Sequence, residues 1–342
     1  MTDDAIAHQS EKLPDLPRVT LGFIPRERFS WAARSLRNVL ETPAGIEYHL
    51  VIVDCAIPDR YRHEIEALVA GHDNVEFIRL DHHVMPNKSR HLVSEVSQTE
   101  YTALLENDNN VAPNWLGSLV EACDEFDATM AVPLIMERGR YHGDDHLGGF
   151  RFVQMPQGTR LQFDPIHGKH EEQSVLAVEN AECHALVVRT DIARSLDLFD
   201  PELTSHDFLD ITLKLFHAGE KLVFQPRSVI NFHSPPGVDD EERAFFRQRW
   251  DLDLGYVSTH RVRERHGLAQ IPSAKAFSRE RLHRESWLQL GVYTLQIRIW
   301  RRFRTLYRRF VLRRQPMDLL EYVSGPVGEN SAHAAAGTAS RA

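Results

Sequence analysis

Cysteine is scarce in this sequence, with 3 in 342 residues (Cys55, Cys123 and Cys183) and neither a CxxC pair nor a Cys/His spacing among them. That excludes a disulfide framework and a cysteine zinc site, and it fits a reducing compartment. Long apolar runs are missing too: nothing approaches the roughly 18 residues of a membrane-spanning helix. The first residues, Met1 to Glu11, are acidic and polar, so no secretory leader is expected. There is no internal repeat. Nor is there a basic excess, since 40 Lys/Arg face 49 Asp/Glu for a net charge of −9, which argues against nucleic acid as a partner. What remains is an ordinary soluble composition, 42% hydrophobic and 26% charged. The chain is long enough for one large α/β domain or two small ones with ample core.

Apolar runs and helical patterns alternate along the first half. Strands are expected at Arg18–Ile24, Tyr48–Asp54, Val75–Leu80 and Glu100–Leu105, with helices at Phe29–Leu40, Arg60–Ala70 and His91–Thr99, the last after a loop through Pro86. This alternation implies a parallel, doubly wound sheet, whose ligands sit beyond the carboxyl ends of the strands. A helix at Trp115–Phe126 and a strand from Thr129 follow. The stretch from 137 to 170 is rich in Gly, His and aromatic residues without periodicity, as in a variable loop or substrate flap. Beyond it come a strand at Ala185–Arg189, helices at Thr190–Leu196 and Asp207–Ala218, and two short strands at Lys221–Pro226 and Ser228–His233.

One stretch organises the rest. Tyr101 to Leu105 is a short apolar run that ends abruptly in Glu106-Asn107-Asp108-Asn109-Asn110. Two carboxylates at i and i+2 of a strand end can turn toward one point, and hard divalent cations take such oxygens together with substrate phosphates. The same residues also suit an acidic turn capping the next helix. Asp54 closes another strand, where it faces the same crevice as Glu106 and Asp108. Asp207 and Asp210 lie on one face of a helix start, as further acids of the site or as acids complementing the macrodipole.

In order and spacing this set resembles the family-two glycosyltransferases of the GT-A fold, from about Val19 to Trp250. The second half carries the most specific match: Phe199-Asp200-Pro201-Glu202-Leu203, Ser205 to Leu215, His217-Ala218-Gly219-Glu220-Lys221-Leu222, Phe224-Gln225-Pro226, Val229 to His233, and Phe246 to Trp250. The resemblance implies that Asp54 touches the nucleotide of a sugar-nucleotide donor and that Glu106 and Asp108 hold the DxD positions. Asp108 and Glu106, with His233, would bind Mg²⁺ or Mn²⁺ at the diphosphate, and Arg90 would contact that diphosphate. Asp207 falls on the family's general base, which deprotonates an acceptor hydroxyl for inverting attack at the anomeric carbon. His206, Asp210 and Trp250 would lie on the acceptor side. Two departures stand out: Glu106 replaces the first Asp, and His206 stands where the family usually has Glu. The second leaves a different class open, a non-catalytic nucleotide-sugar-binding or scaffold protein.

Charge is unevenly distributed. Lys275 to Arg314 holds 12 Lys/Arg and 2 Asp/Glu, a local +10 that leaves −19 for the rest. Leu288, Val292, Leu295, Ile299, Phe303, Leu306 and Phe310 form a continuous helical stripe there, flanked by arginines. Residues 286–314 therefore fit either an interfacial helix on anionic lipid or a helix packed on protein, a second copy included. The expected organisation is a disordered tail (1–17), a GT-A domain (18–255), a basic amphipathic helical extension (256–322) and a second disordered tail (323–342). The expected protein is a cytoplasmic enzyme, peripheral on the inner face of the membrane if the extension binds lipid. Its partners would be a nucleotide-sugar donor and a glycan or lipid-linked acceptor, in cell-surface polysaccharide or glycoconjugate synthesis.

Overall fold

The computed structural model describes residues 16–137, 140–141, 150–156, 158–163, 174–233 and 238–268. The stripe at 286–314 and the tail at 323–342 lie outside them, as do most of the 1–17 tail and most of the 137–170 insert.

The first apolar run forms β1 (Val19–Ile24), buried along its whole length. Burial on both faces is what an all-apolar strand requires, and it marks β1 as central. It lies between β2 (Tyr48–Cys55) and β4 (Tyr101–Glu106), parallel to both, and β2 pairs in turn with β3 (Val75–Leu80). Helices α1 (Phe29–Glu41), α2 (Asp59–Val69) and α3 (Pro86–Val96) make the crossovers. Further along come β5 (Asn109–Val111), α4 (Trp115–Phe126), β6 (Met130–Glu137), β7 (Arg140–Tyr141), the hairpin of β8 (Phe150–Met155) and β9 (Gly158–Phe163), and β10 (Leu176–Val178). The last elements are β11 (Ala185–Arg189), α5 (Thr190–Ser195), α6 (Asp207–Ala218), β12 (Leu222–Phe232), α7 (Arg243–Arg249) and α8 (Leu252–His266).

The main sheet runs β3-β2-β1-β4-β11-β6-β12-β10, with β5 added to β12 and β7 to β6. It is mostly parallel; β11 runs against both β4 and β6, and β10 against β12. Alternate residues feed two cores, as the pleat demands. Leu50 and Ile52 of β2 join one cluster with α1, α2 and α4, while Val51 and Val53 join the other with α3 and α6. At Gly22 an added Cβ would lie 2.7 Å from Val93 Cγ1 of α3, so only glycine admits this close helix approach. Gly22→Ala overpacks that contact, at about 1–3 kcal/mol.

Several elements differ from the sequence reading, among them the β8–β9 hairpin inside the stretch read as a loop or flap. Helix α3 begins at Pro86 rather than His91, because proline suits the first turn, where its missing N–H costs nothing. The two short strands expected around Pro226 are one strand, β12, whose register against β6 shifts between Gln225 and Val229. Pro226 has no N–H to give the ladder, and the irregularity absorbs it. Strand β5 was not expected at all; its Asn-rich sequence reads as a turn. Helix α8 crosses residue 255, where the sequence reading placed the end of the domain. It is capped by Asp251, whose side chain accepts from the N–H groups of Asp253 and Leu254. Val262 and Leu268 pack in a third cluster with Leu203, Leu209 and Leu213 around α6.

Candidate active site

Three registers bring chemistry to the carboxyl end of β4. Ile24 of β1 pairs with Glu106, so the residues just beyond β1 reach Glu106. Antiparallel β11 starts opposite Leu105, and the carbonyl of His184 accepts the Glu106 N–H at 3.0 Å. Strand β5 pairs with the end of β12, and there the His233 N–H donates to the Asp108 carbonyl at 2.9 Å.

Glu106 is buried and fully engaged. Its Oε1 accepts from Arg90 at 2.6 Å, and its Oε2 lies 2.5 Å from Arg26 Nη1 and 2.7 Å from His184 Nδ1. Burial alone would raise its pKa, but Arg26, His184 and Arg90 hold it well below the usual carboxylate range. Asp108 differs. Among the described residues it has no ion-pair partner, only an Asn109 side-chain N–H at 3.3 Å. Burial, against the pull of Arg26 and with Glu106 and Glu27 adding to it, pushes Asp108 up to about 7.

Asp207 opens α6 behind His206, which adopts a left-handed conformation (φ 58°) at the cap. Its Oδ2 accepts from Arg90 Nη1 at 2.5 Å. Burial opposes ionisation, yet Arg90 and then Arg249 keep its pKa below the ordinary value, so it stands as a carboxylate. Arg90, expected at the diphosphate, thus bridges Glu106 and Asp207, and one guanidinium ties the strand acid to the helix acid.

Other expected residues sit differently. Asp210, three residues on, is completely buried on the α8 side, with Arg265 at 2.8 Å, His266 at 2.8 Å and Lys214 at 3.0 Å. The 3.6-residue period turns it far enough from Asp207 to meet another helix, so it anchors α8 instead of lining an acceptor face. Trp250 is also buried; its indole N–H donates to Glu27 at 3.1 Å. His206 is nearly buried beside Asp207. Asp54 accepts from the Ile57 N–H and from Arg79, each at 3.0 Å, which fixes the turn after β2.

Among the described residues, the ligand atoms close enough to share a metal ion belong to Glu106, Asp108 and His184, all within 4.8 Å of one another. His184 stands in this group where His233 was expected. The His233 ring instead stacks on Trp31, with centroids 4.6 Å apart. The donor set fits a divalent cation: two carboxylates and an imidazole, with Asp108 carrying oxygen capacity that no cation of the described chain takes up.

Sequence reasoning missed Arg26, Glu27, His184 and Arg249. Their signal was faint but present. Pro25-Arg26-Glu27-Arg28 follows an apolar strand at once, and a run of charge at a parallel strand's carboxyl end points into the crevice. All of Arg26, Glu27 and Arg28 are at least nine-tenths buried. Glu27 lies 3.5 Å from Arg26 and 3.6 Å from Arg249, and although burial resists, these guanidiniums lower its pKa to about 2.

A mostly parallel sheet in which an antiparallel strand, β11, lies between β4 and β6 is the fold of the GT-A glycosyltransferases. Residues 26–183 match the family model for glycosyl transferase family 2. Among solved structures the chain is similar to GalNAc-T7 crystallised with UDP, GalNAc and Mn²⁺, at 18% identity and a TM-score of 0.50. That match covers 73% of this chain and 55% of that one, so the chain spans little more than half of GalNAc-T7. A second likeness is to S. aureus TarS 1-349 in complex with UDP-GlcNAc, at 13% identity and a TM-score of 0.47, over 78% of this chain and 70% of that one. No curated protein matches the sequence. At such identities the likeness is one of fold.

Proposed function

We propose that the chain is an inverting, metal-dependent glycosyltransferase that moves a sugar from a nucleoside diphosphate to an acceptor hydroxyl. The observation that carries this reading is the Arg90 bridge, which gathers Glu106, from the strand that ends in the acidic pair, and Asp207, from the start of α6, around one guanidinium. A metal-side acid and an ionised base are then neighbours in one crevice, as a displacement at the anomeric carbon needs. Asp207 takes the proton of the acceptor hydroxyl, and the oxygen attacks the anomeric carbon from the face opposite the diphosphate. The bond to the diphosphate oxygen breaks, and the configuration inverts. Glu106, Asp108 and His184 would hold the Mg²⁺ or Mn²⁺, which supplies positive charge to the departing phosphates. Arg26, Arg28 and Arg249 add buried positive charge on the same side. Asp54, at the neighbouring strand end, is assigned to the nucleotide.

The acceptor is assigned to glycans or lipid-linked saccharides, in cell-surface polysaccharide or glycoconjugate synthesis. The setting is the cytoplasmic side of the membrane, with 286–314 as a lipid-facing or protein-facing extension. No helix among the described residues is long and apolar enough to cross a membrane. Calorimetry with a panel of UDP-, GDP-, dTDP- and CMP-sugars, with and without Mn²⁺, tests the proposal. Metal-dependent binding of one donor class, lost in Asp108→Ala, is the expected result. A folded protein that binds none of them refutes it.

A further inference from the structure

Arg26 stands in an unusual place. Its Nη1 lies 2.5 Å from Glu106 Oε2 and 3.0 Å from His184 Nδ1, which are themselves 2.7 Å apart. A guanidinium N–H group therefore rests against two of the three residues that would share a metal ion. Its charge is fixed, since arginine does not deprotonate in proteins. A divalent cation bound to the same atoms would have this positive group at contact distance in a water-poor pocket, where repulsion is strong.

The backbone at this point is pinned. The Arg26 N–H donates to Asn107 Oδ1 at 3.0 Å, so any rearrangement belongs to the side chain. That side chain has a second partner at hand, because its Nε is 3.5 Å from Glu27 Oε2 and makes no hydrogen bond among the described residues. Glu27 is in turn held by Trp250 and flanked by Arg249, so it does not follow the motion. Arg90 keeps Glu106 Oε1 engaged from the opposite side, which leaves Oε2 as the oxygen that changes partner.

We propose that Arg26 is an internal cation that plugs the metal position. A divalent ion enters only when the guanidinium leaves Glu106 Oε2 and His184 Nδ1 and moves toward Glu27. This rests on the metal assignment of the reading above and deepens it. Arg26 acts as a positioning residue that sets when Glu106 and His184 are available. Metal alone then binds weakly. A bound diphosphate, whose negative charge offsets both cations at once, strengthens metal binding, and metal strengthens nucleotide binding by the same factor.

The test is Mn²⁺ titration of the full chain, without nucleotide, by electron paramagnetic resonance or calorimetry, on wild type, Arg26→Gln, Arg26→Lys and Asp108→Asn. Arg26→Gln is expected to bind Mn²⁺ about tenfold more tightly than wild type, within the usual range of coupling between sites. Arg26→Lys, which keeps the charge, should fall between the two, and Asp108→Asn should lose binding. Equal or weaker Mn²⁺ binding in Arg26→Gln overturns the plug, as does no Mn²⁺ binding in either protein. Should Arg26→Gln fail to fold, a structure of the wild type with Mn²⁺ decides the matter. Arg26 Nη1 must then lie beyond hydrogen-bonding distance of Glu106 Oε2, and if it has stayed within reach the proposal is wrong. A parallel UDP titration separates the two readings. UDP binding with no change in Mn²⁺ affinity in Arg26→Gln leaves the donor site standing without the plug. Absence of binding by UDP and by every other nucleotide of the donor panel removes the glycosyltransferase reading, whatever Mn²⁺ does.

Discussion

Two buried clusters of charge meet helix α6, one at its first residue and one a turn further on, and they are built on different rules. Around Asp210 the ionic groups satisfy one another. Arg265, His266 and Lys214 surround its carboxylate, and Asp200 takes Arg261 at 2.7 Å as well as Arg265. Around Asp207 the groups do not close in this way. Among the described residues Asp108 has no ion-pair partner and is pushed up to about 7, and Arg90 Nε and the Ser89 and Ser205 hydroxyls make no hydrogen bond. Buried polar groups left over are costly, and a fold keeps them where they serve chemistry. The same residue type, three positions apart on one helix, therefore sits in a closed joint in one place and beside the proposed reaction centre in the other.

The sharpest way to break this contrast is to neutralise each acid in turn. Asp207→Asn is expected to lower turnover about 10²–10⁴-fold, the range for losing a general base, while donor binding by calorimetry is retained. Unchanged turnover would remove the base assignment and leave the Arg90 bridge as structure only. Asp210→Ala should do the reverse. Removing a buried carboxylate from among three cations costs about 3–5 kcal/mol of unfolding free energy, measured by urea denaturation, and donor affinity stays the same. If Asp210→Ala keeps its stability but loses activity, the two clusters have been assigned the wrong way round.

The sequence shows the alternation that builds the sheet and the acidic break after β4, because both are local patterns. Asp207–Ala218 is legible as a helix to the residue, since Asp207 opens it and Gly219 caps its end. What each acid on that helix faces is not legible. Asp210 is claimed by Arg265 and His266, 55 and 56 residues away, and no periodicity encodes that pairing. His184 and Arg26 are hidden for the same reason: each reaches Glu106 through a strand register, antiparallel for β11 and parallel for β1. A lone histidine before an apolar run gives no sign of which strand it will lie beside.

Glu27 offers a smaller effect that locates the boundary between the two kinds of cluster. It belongs to the proposed reaction centre by position, yet it is ion-paired as in the joint: Arg26 and Arg249 lie 3.5 and 3.6 Å from Oε2, which makes no hydrogen bond among the described residues, and the Trp250 indole donates to Oε1. Its pKa is lowered from 4.5 to about 2, so its ionised form stabilises the fold. A group with a depressed folded-state pKa contributes stability that is present above its unfolded value and lost as pH falls through the folded one. The gap is equivalent to about 3 kcal/mol. Glu27→Gln should cost about that much near neutral pH, and the difference from wild type should shrink as pH falls from about 4.5 toward 2. Trp250 fluorescence reports the change directly, because its indole N–H is bonded to this carboxylate. A wild type and Glu27→Gln pair whose stabilities stay parallel across that window would mean that Glu27 contributes no net charge stabilisation. It would then be a spare acceptor for Arg26 alone, part of the reaction centre and not of the scaffold.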